Sequence, residues 1–273
     1  MSERVAAAPS STPSIVVYAQ HQRARTAARS LFPRRRHRVL LTRTAAAFEQ
    51  AFRETLVDAA VVDVGTGPPA GEETWRVARL AADFPSAPFF GMLSLRASDA
   101  VALTQCVAHD FSDILVDGVD NSVAREIVHR ESFTARFARA LHEPPPALSL
   151  SSPLQQATWR SVVATAGRGV RTDSLAKMLH VTREHLSRTF AAGGGPNLKR
   201  VIDLVRLLAA AELAKNPGYD VRDVASVLGF ASPSHLSTTA QRIVGTKPAS
   251  LSRLRTVDLI DRFVRGHGRS RHQ

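Results

Sequence analysis

The sequence has little cysteine and no long apolar run, and both shortages exclude classes of protein. Cys106 is the only cysteine of the 273 residues, so an internal disulfide and a cysteine-based zinc cage are excluded. No stretch approaches the roughly 18–20 apolar residues that a membrane helix needs, so we expect no membrane partner. The first residues also lack the charged, apolar and small segments of a signal peptide. Together these absences predict a protein of the reducing cytoplasm.

Positive charge is abundant, and it is concentrated in one half of the chain. The net charge is +12, from 36 Lys and Arg against 24 Asp and Glu. Residues 1–150 hold 17 basic and 16 acidic side chains, whereas residues 151–273 hold 19 and 8. A basic segment joined to a near-neutral one is typical of a protein that binds a polyanion and carries a regulatory or assembly module. A general bias towards arginine is the alternative explanation.

Predicted strands and helices alternate over residues 14–141. Short apolar or β-branched runs predict five strands, and amphipathic segments predict about five helices. The predicted strands cover residues 14–19, 38–42, 58–64, 88–95 and 113–116. Such an alternation favours a parallel sheet that is covered by helices on both faces. We therefore expect a flavodoxin-like α/β domain with a parallel five-stranded sheet.

Proline and serine mark the end of this domain. Residues 142–153 contain three consecutive prolines and a Ser/Pro segment, which predict an extended linker. Residues 1–13 are mostly small or polar and predict a flexible arm. After the linker the pattern is helical, so we expect an all-α domain over residues 154–256 and a basic C-terminal tail over 257–273.

Two segments of the helical half resemble each other. Both contain Ala-x-x-Leu, a short break and then His-Leu-Ser-x-Thr, and they lie at 174–189 and 223–239. Each predicts a helix, a tight turn and a second helix, which is the helix-turn-helix plan. Thr182 and Ser232 are suitable N-caps for the two second helices, at about 182–192 and 233–243. Residues 196–214 between the copies predict an amphipathic linker helix about 28 Å long.

The polar faces of the two second helices carry the candidate binding residues. Their side chains are long or able to hydrogen-bond, as contacts with base edges and phosphates require. The candidate DNA-binding residues are Arg183, Glu184, Ser187, Arg188, Ser234, His235, Thr238, Gln241 and Arg242.

The same part of the chain resembles the DNA-binding domain of the AraC/XylS family of bacterial transcription regulators. The resemblance covers about residues 160–254. It depends on the run DVASVLGFASPSHL from Asp223, the segment GTKP that ends at Pro248, and the linker pattern Arg206-Leu-x-x-Ala210-x-x-Leu213. It implies a sequence-specific transcription regulator that places two recognition helices in adjacent major grooves of double-stranded DNA. It also implies a cytoplasmic, nucleoid-associated protein that acts with RNA polymerase or another transcription protein.

The second copy departs from the family pattern in two positions. Ala240 stands where the family commonly has an aromatic residue, and Thr238 stands where it often has a basic one. In the first copy, the three consecutive glycines at 193–195 predict a loose exit from the recognition helix. We expect the first copy to dominate sequence specificity.

The N-terminal half resembles a response-regulator receiver domain, and Asp63 lies where such a domain has its phosphoryl acceptor. A phosphoryl acceptor needs Mg²⁺ and further carboxylates. The turn after the first strand has none, and Asp117 and Gly118 follow the fifth strand where a receiver has a lysine. We therefore expect a degenerate receiver that acts as a regulatory scaffold or forms a homodimer. A small-ligand sensor and a true phosphoacceptor are the alternatives.

Other patterns lack the features of a catalytic or metal site. Gly65, Gly67 and Gly71 do not have the spacing of a dinucleotide-binding loop, and the glycines at 167 and 169 lack the ending of a phosphate loop. The ten histidines show no ligand spacing. We expect no enzymatic activity, no cofactor and no metal. The competing interpretations are a non-enzymatic signalling adaptor or ligand sensor whose helical half binds protein, and a nucleotide-binding enzyme.

Overall fold

Five parallel strands form one sheet near the start of the chain. This computed structural model describes residues 12–192 and 195–269, with side chains up to residue 266. The strands are β1 (Ser14–Tyr18), β2 (Arg38–Thr42), β3 (Ala59–Gly65), β4 (Phe89–Leu93) and β5 (Asp113–Val116). Their order in the sheet is β2-β1-β3-β4-β5. This is the order of a flavodoxin-like doubly wound domain, so the predicted fold of the N-terminal half is confirmed.

Helices cover both faces of this sheet. They are α1 (Gln22–Leu31), α2 (Ala45–Glu54), α3 (Glu72–Asp83), α4 (Ala100–Ala108) and α5 (Asn121–Glu131). On one face Phe48, Phe52 and Phe84 are buried, and the rings of Phe52 and Phe84 stack with their centroids 4.2 Å apart. On the other face Ala24 and Ala28 of α1 pack against the sheet. Burial on both faces explains why the central strands are continuous apolar runs.

The sequence of residues 121–141 has the pattern of one continuous helix, but the structure contains two helices there. After α5 ends, α6 (Phe133–Ala140) begins, with Ser132 between them. The backbone carbonyl of Asp58 accepts a hydrogen bond from the N–H of Phe133 at 2.9 Å. The buried carboxylate of Asp58 accepts from the N–H of Thr134 at 3.1 Å and from that of Ser14 at 2.8 Å. The break therefore anchors the start of α6 to the sheet.

The rest of the described chain is helical. It contains α7 (Pro153–Val163), α8 (Thr172–Met178), α9 (Arg183–Ala191), α10 (Leu198–Leu213), α11 (Val221–Val227), α12 (Pro233–Val244) and α13 (Thr256–Arg269). Most side chains of α10 are buried, which makes it the central helix of this half. Ser152 and Gln155 form a capping box at the start of α7. Among the helices of the described residues, none combines the length and apolar character needed to cross a membrane.

The predicted tail, 257–273, is in large part the helix α13. Leu259, Ile260 and Phe263 lie on one side of α13 and are buried, so this segment is amphipathic and packed. Residues 270–273 of the predicted tail lie outside the described residues. The same holds for residues 1–11 of the predicted arm and for Gly193 and Gly194.

The compact units of the structure do not follow chain order. The first unit consists of Thr12–Arg136 together with Asn216–Val227, and the second contains the described residues of Phe137–Lys215 and Leu228–Gln273. The helix α11 therefore groups with the sheet. We call the contact of Asn216–Val227 with the other elements of the first unit the α11 dock.

Three kinds of contact form the α11 dock. Arg53 of α2 donates to the carboxylate of Asp223 at 2.7 Å. The ring of Tyr219 packs edge-on against Phe84, with centroids 5.0 Å apart. Gly218 lies so close to Phe84 that a Cβ atom would approach the ring to 2.6 Å. Burial, and then the charge of Asp223, raise the pKa of Tyr219 well above its usual range.

Candidate nucleic-acid interface

The first helix-turn-helix copy consists of α8, a tight turn and α9. The turn includes His180, which takes a left-handed conformation with φ +55°. Thr182 caps α9, because its hydroxyl oxygen accepts a hydrogen bond from the N–H of His185 at 3.1 Å. Leu186 and Phe190 are buried. The opposite face of α9 therefore lies at the surface.

The second copy consists of α11, a turn and α12, and the cap of α12 matches that of α9. The hydroxyl of Ser232 accepts from the N–H of His235, also at 3.1 Å. Leu236, Ala240 and Ile243 are buried. Ala240 is thus a core residue, and the absence of an aromatic side chain there leaves the exposed face of α12 unchanged.

All nine candidate binding residues are exposed on α9 and α12. On α9 they are Arg183, Glu184, Ser187 and Arg188, and on α12 they are Ser234, His235, Thr238, Gln241 and Arg242. The two helices therefore present polar and charged surfaces away from their buried stripes.

Two arginines of this set form ion pairs that differ in their exposure to solvent. Arg183 forms a 3.4 Å ion pair with Asp173, and both side chains are more than half exposed, so the pair contributes little stability. Arg242 forms a 2.8 Å ion pair with Asp203 of α10, whose side chain is only 13% exposed. The second pair joins α12 to the central helix of the same unit.

Two candidates of the second copy are engaged in local hydrogen bonds. The hydroxyl of Thr238 donates to the carbonyl of Ser234 in the preceding turn of α12 at 3.0 Å. The Nδ1 atom of His235 accepts from the N–H of Ala231 at 3.3 Å, and its ring lies edge-on to Phe230. His235 therefore shapes the turn before α12 as well as lying on its surface.

Comparison with known proteins agrees with this geometry. A family described as a helix-turn-helix domain matches residues 175–253, from α8 to a short 3₁₀ helix that follows α12. This range lies within the part of the chain that resembles AraC/XylS regulators. Residues 175–253 form an AraC-type helix-turn-helix domain. We refer to them below as the AraC-type domain.

Two further comparisons concern the whole chain. Among the curated proteins, none matches it significantly. Among solved structures, the full-length FixJ of B. japonicum is similar, with 14% sequence identity over 85% of this chain and 97% of that one, at a TM-score of 0.38. This similarity is too low to assign a fold. The receiver-like fold of the first unit is therefore assigned from its own strand order.

Arg206 of α10 is a residue of the AraC-type domain whose role the sequence pattern does not reveal. Its Nε atom donates to the carbonyl of Gly167 at 3.2 Å, and its guanidinium lies 5.1 Å from the ring centroid of Phe230. Gly167 has φ +70°, and a Cβ atom there would lie 2.8 Å from the backbone nitrogen of Arg206. Arg206 thus joins the turn after α7 to the turn before α12, and burial lowers its pKa.

In the first unit, Asp63 is held by its own turn. It is 8% exposed, and its Oδ1 atom accepts hydrogen bonds from the N–H of Thr66 at 2.9 Å and from its hydroxyl at 2.7 Å. Asp117 lies 3.6 Å from the guanidinium of Arg23. Within residues 12–192 and 195–269, no three His, Cys, Asp or Glu side chains converge as metal ligands.

Proposed function

We propose that this protein is a sequence-specific, double-stranded-DNA-binding transcription regulator without enzymatic activity. One observation carries the proposal. Two recognition helices, α9 and α12, have the same N-cap arrangement and turn exposed polar faces outward, and both pack on the buried helix α10. Two helices presented in this way suit direct readout of base edges. The match of residues 175–253 to a helix-turn-helix family also supports the proposal.

In the proposed complex, α9 and α12 enter adjacent major grooves on one side of the duplex. The central helix α10 has 16 residues, or about 24 Å of axial length at 1.5 Å per residue. Successive major-groove faces are about 34 Å apart. As a rigid spacer, α10 would hold the two recognition helices at a fixed separation, and the nine candidate residues would then contact bases and phosphates.

The first unit is proposed to regulate or dimerise the protein. Several large apolar side chains on and around α4 and the start of α5 are exposed, and they provide a surface for a second copy of the chain. They are Leu95, Val101, Val107, Val119 and Val123. RNA polymerase or another transcription protein is the further partner that a regulator requires, and it would meet the protein at the nucleoid in the cytoplasm.

Genome-wide footprinting of bound DNA tests the main proposal, together with affinity measurements on a recovered site. We expect discrete sites about 20 base pairs long. Affinity for them should fall steeply with salt, because each phosphate contact releases counterions. The adaptor interpretation predicts the opposite result, namely salt-tolerant binding to a protein and no preference for duplex DNA.

Treatment with acetyl phosphate and Mg²⁺ tests the scaffold role of the first unit. We expect no acid-labile adduct, because Thr66 occupies Oδ1 of Asp63 and Asp117 is paired with Arg23. An adduct that is lost in an Asp63→Asn variant would show that the unit is a phosphoacceptor.

A further inference from the structure

A groove with basic side chains in its lining lies at the C-terminal end of α12. The groove has a volume of about 450 Å³ and lies between the C-terminal part of α12 and the helix α13. We call it the α12–α13 groove. It is lined by Gln241, Arg242, Ile243, Val244, Gly245, Arg262, Arg265 and Gly266.

Its charged lining is entirely basic. Arg242, Arg262 and Arg265 are exposed, and no carboxylate is among the lining residues in the described part of the chain. Arg242 is paired with Asp203, which lies outside the lining. Arg265 donates through Nε to the backbone carbonyl of Asp261 at 3.3 Å, and this bond orients the guanidinium without neutralising it. The groove therefore carries net positive charge.

A fourth arginine, Arg200, lies outside the lining but close to residues of α12 and α13. The guanidinium of Arg200, on α10, lies 5.3 Å from the ring centroid of Phe263 on α13. Its Nε and Nη2 atoms are buried and have no hydrogen-bond partner in the described structure. Burial, and then the neighbouring charge of Arg242, lower the pKa of Arg200. An anion nearby would relieve the repulsion between these two arginines.

The position of α13 relates the groove to DNA. This helix begins after residue 253, where the matched helix-turn-helix family ends, so it is an addition to the AraC-type domain. Its buried Leu259 and Phe263 hold it in place, and it packs on α10 and α12. Gln241 and Arg242 belong both to the groove and to the candidate face of α12. A duplex that α12 reads would therefore pass its backbone close to Arg262 and Arg265.

We propose that the α12–α13 groove binds the phosphodiester backbone of duplex DNA, with Arg262 and Arg265 as phosphate contacts beyond the two recognition helices. The inference rests on the proposed function and adds a binding element to it. The planar, five-donor guanidinium matches a phosphate with two parallel hydrogen bonds. Contacts of this kind position a protein on DNA and carry no sequence preference.

Salt titration of the full chain on a random-sequence duplex, about three helical turns long, tests the inference without a known target site. We compare the wild type with the double variant R262Q/R265Q. The control R34Q/R35Q removes the same charge from two exposed arginines of the first unit. Each phosphate contact contributes about 0.9 to the slope of log affinity against log salt. We expect R262Q/R265Q to lower the slope by about 2, the control to leave it unchanged, and R262K/R265K to restore most of it.

The outcomes separate the inference from the proposed function. If the wild type has no affinity for duplex DNA, both are overturned. If the wild type binds but R262Q/R265Q has its full slope, or the control loses as much, the groove is not a phosphate site and the proposed function stands. Thermal melting of each variant verifies folding, and a folded R262Q/R265Q is expected because both side chains are exposed.

Discussion

Single side chains on the recognition helices differ in their freedom to reach DNA. Among the described residues none pairs with Arg188, and its side chain is exposed on α9. The hydroxyl of Thr238 already donates to a carbonyl of α12. Arginine presents two parallel donors to guanine, whereas a threonine hydroxyl has a single donor. This difference favours the first copy as the main determinant of specificity.

We expect Arg188→Ala to weaken binding to the preferred site by about 1–3 kcal/mol at fixed salt, and Thr238→Ala to cost less. Fluorescence anisotropy on the footprinted site measures both, with Arg79→Ala, an exposed arginine of α3, as the control. A loss with Thr238→Ala equal to or larger than that with Arg188→Ala would contradict the dominance of the first copy.

Cys106 illustrates how burial sets the chemistry of one residue. It is 1% exposed in the core of the first unit, and burial raises the pKa of its thiol to about 11. The usual value is 9.0, so at pH 8 the thiolate population is about a hundredfold lower than for an exposed cysteine. We expect a thiol reagent to modify Cys106 very slowly in the native protein. In urea-unfolded protein, Cys106 should react as fast as a free thiol. Equal rates would show that the core opens readily.

At the scale of elements, the matched caps decide where the recognition helices begin. Thr182 and Ser232 each satisfy one backbone N–H that would otherwise lack a partner at the helix start. Both positions lie within two residues of a candidate DNA contact. Loss of a cap should therefore fray the end of the helix that carries them.

We expect Thr182→Ala and Ser232→Ala each to lower the free energy of unfolding of the second unit by about 1 kcal/mol. Thr182→Ser and Ser232→Asn keep an accepting oxygen and should stay within a few tenths of a kcal/mol of the wild type. Urea unfolding followed by helical circular dichroism measures the difference. Alanine variants as stable as the serine and asparagine variants would contradict a capping role.

Local sequence signals predict the elements better than the contacts between distant ones. The five strands, both caps and the exposed faces of α9 and α12 follow from periodicity and turn chemistry over a few residues. The break after α5 does not, because the group that causes it is Asp58, far away in the chain. The contacts of Arg206 and the packing of α13 also depend on distant partners, so the pattern around them indicates only an amphipathic helix and a basic tail.

At the scale of the whole molecule, the α11 dock links two distant parts of the sequence. The first helix of the second helix-turn-helix copy packs within the unit that contains the sheet. Arg53 is central to this contact, since it donates to Asp223 and to the carbonyl of Gly218. Hydrogen bonding to Glu49, and then the interactions with Asp223, raise the pKa of Arg53. The domain limits predicted from proline and serine remain predictions.

We expect Arg53→Gln to speed amide hydrogen exchange in residues 219–227 by about two- to fivefold, which corresponds to about 0.5–1 kcal/mol for a partly exposed ion pair. High salt should narrow the difference, because screening weakens the pair in the wild type. Arg79→Gln serves as the control. An unchanged exchange rate in this segment would show that the ion pair does not hold the α11 dock.

The α11 dock also determines when the first unit can be completed during synthesis. Its sheet and flanking helices are made by residue 136, but its last segment ends at residue 227, roughly 90 residues later. At about 5–20 residues per second, the ribosome needs roughly 5–20 s more before that segment is made. During this interval the apolar surface around Phe84 lacks its cover of Gly218 and Tyr219. The nascent chain therefore exposes an apolar surface to which a chaperone has time to bind.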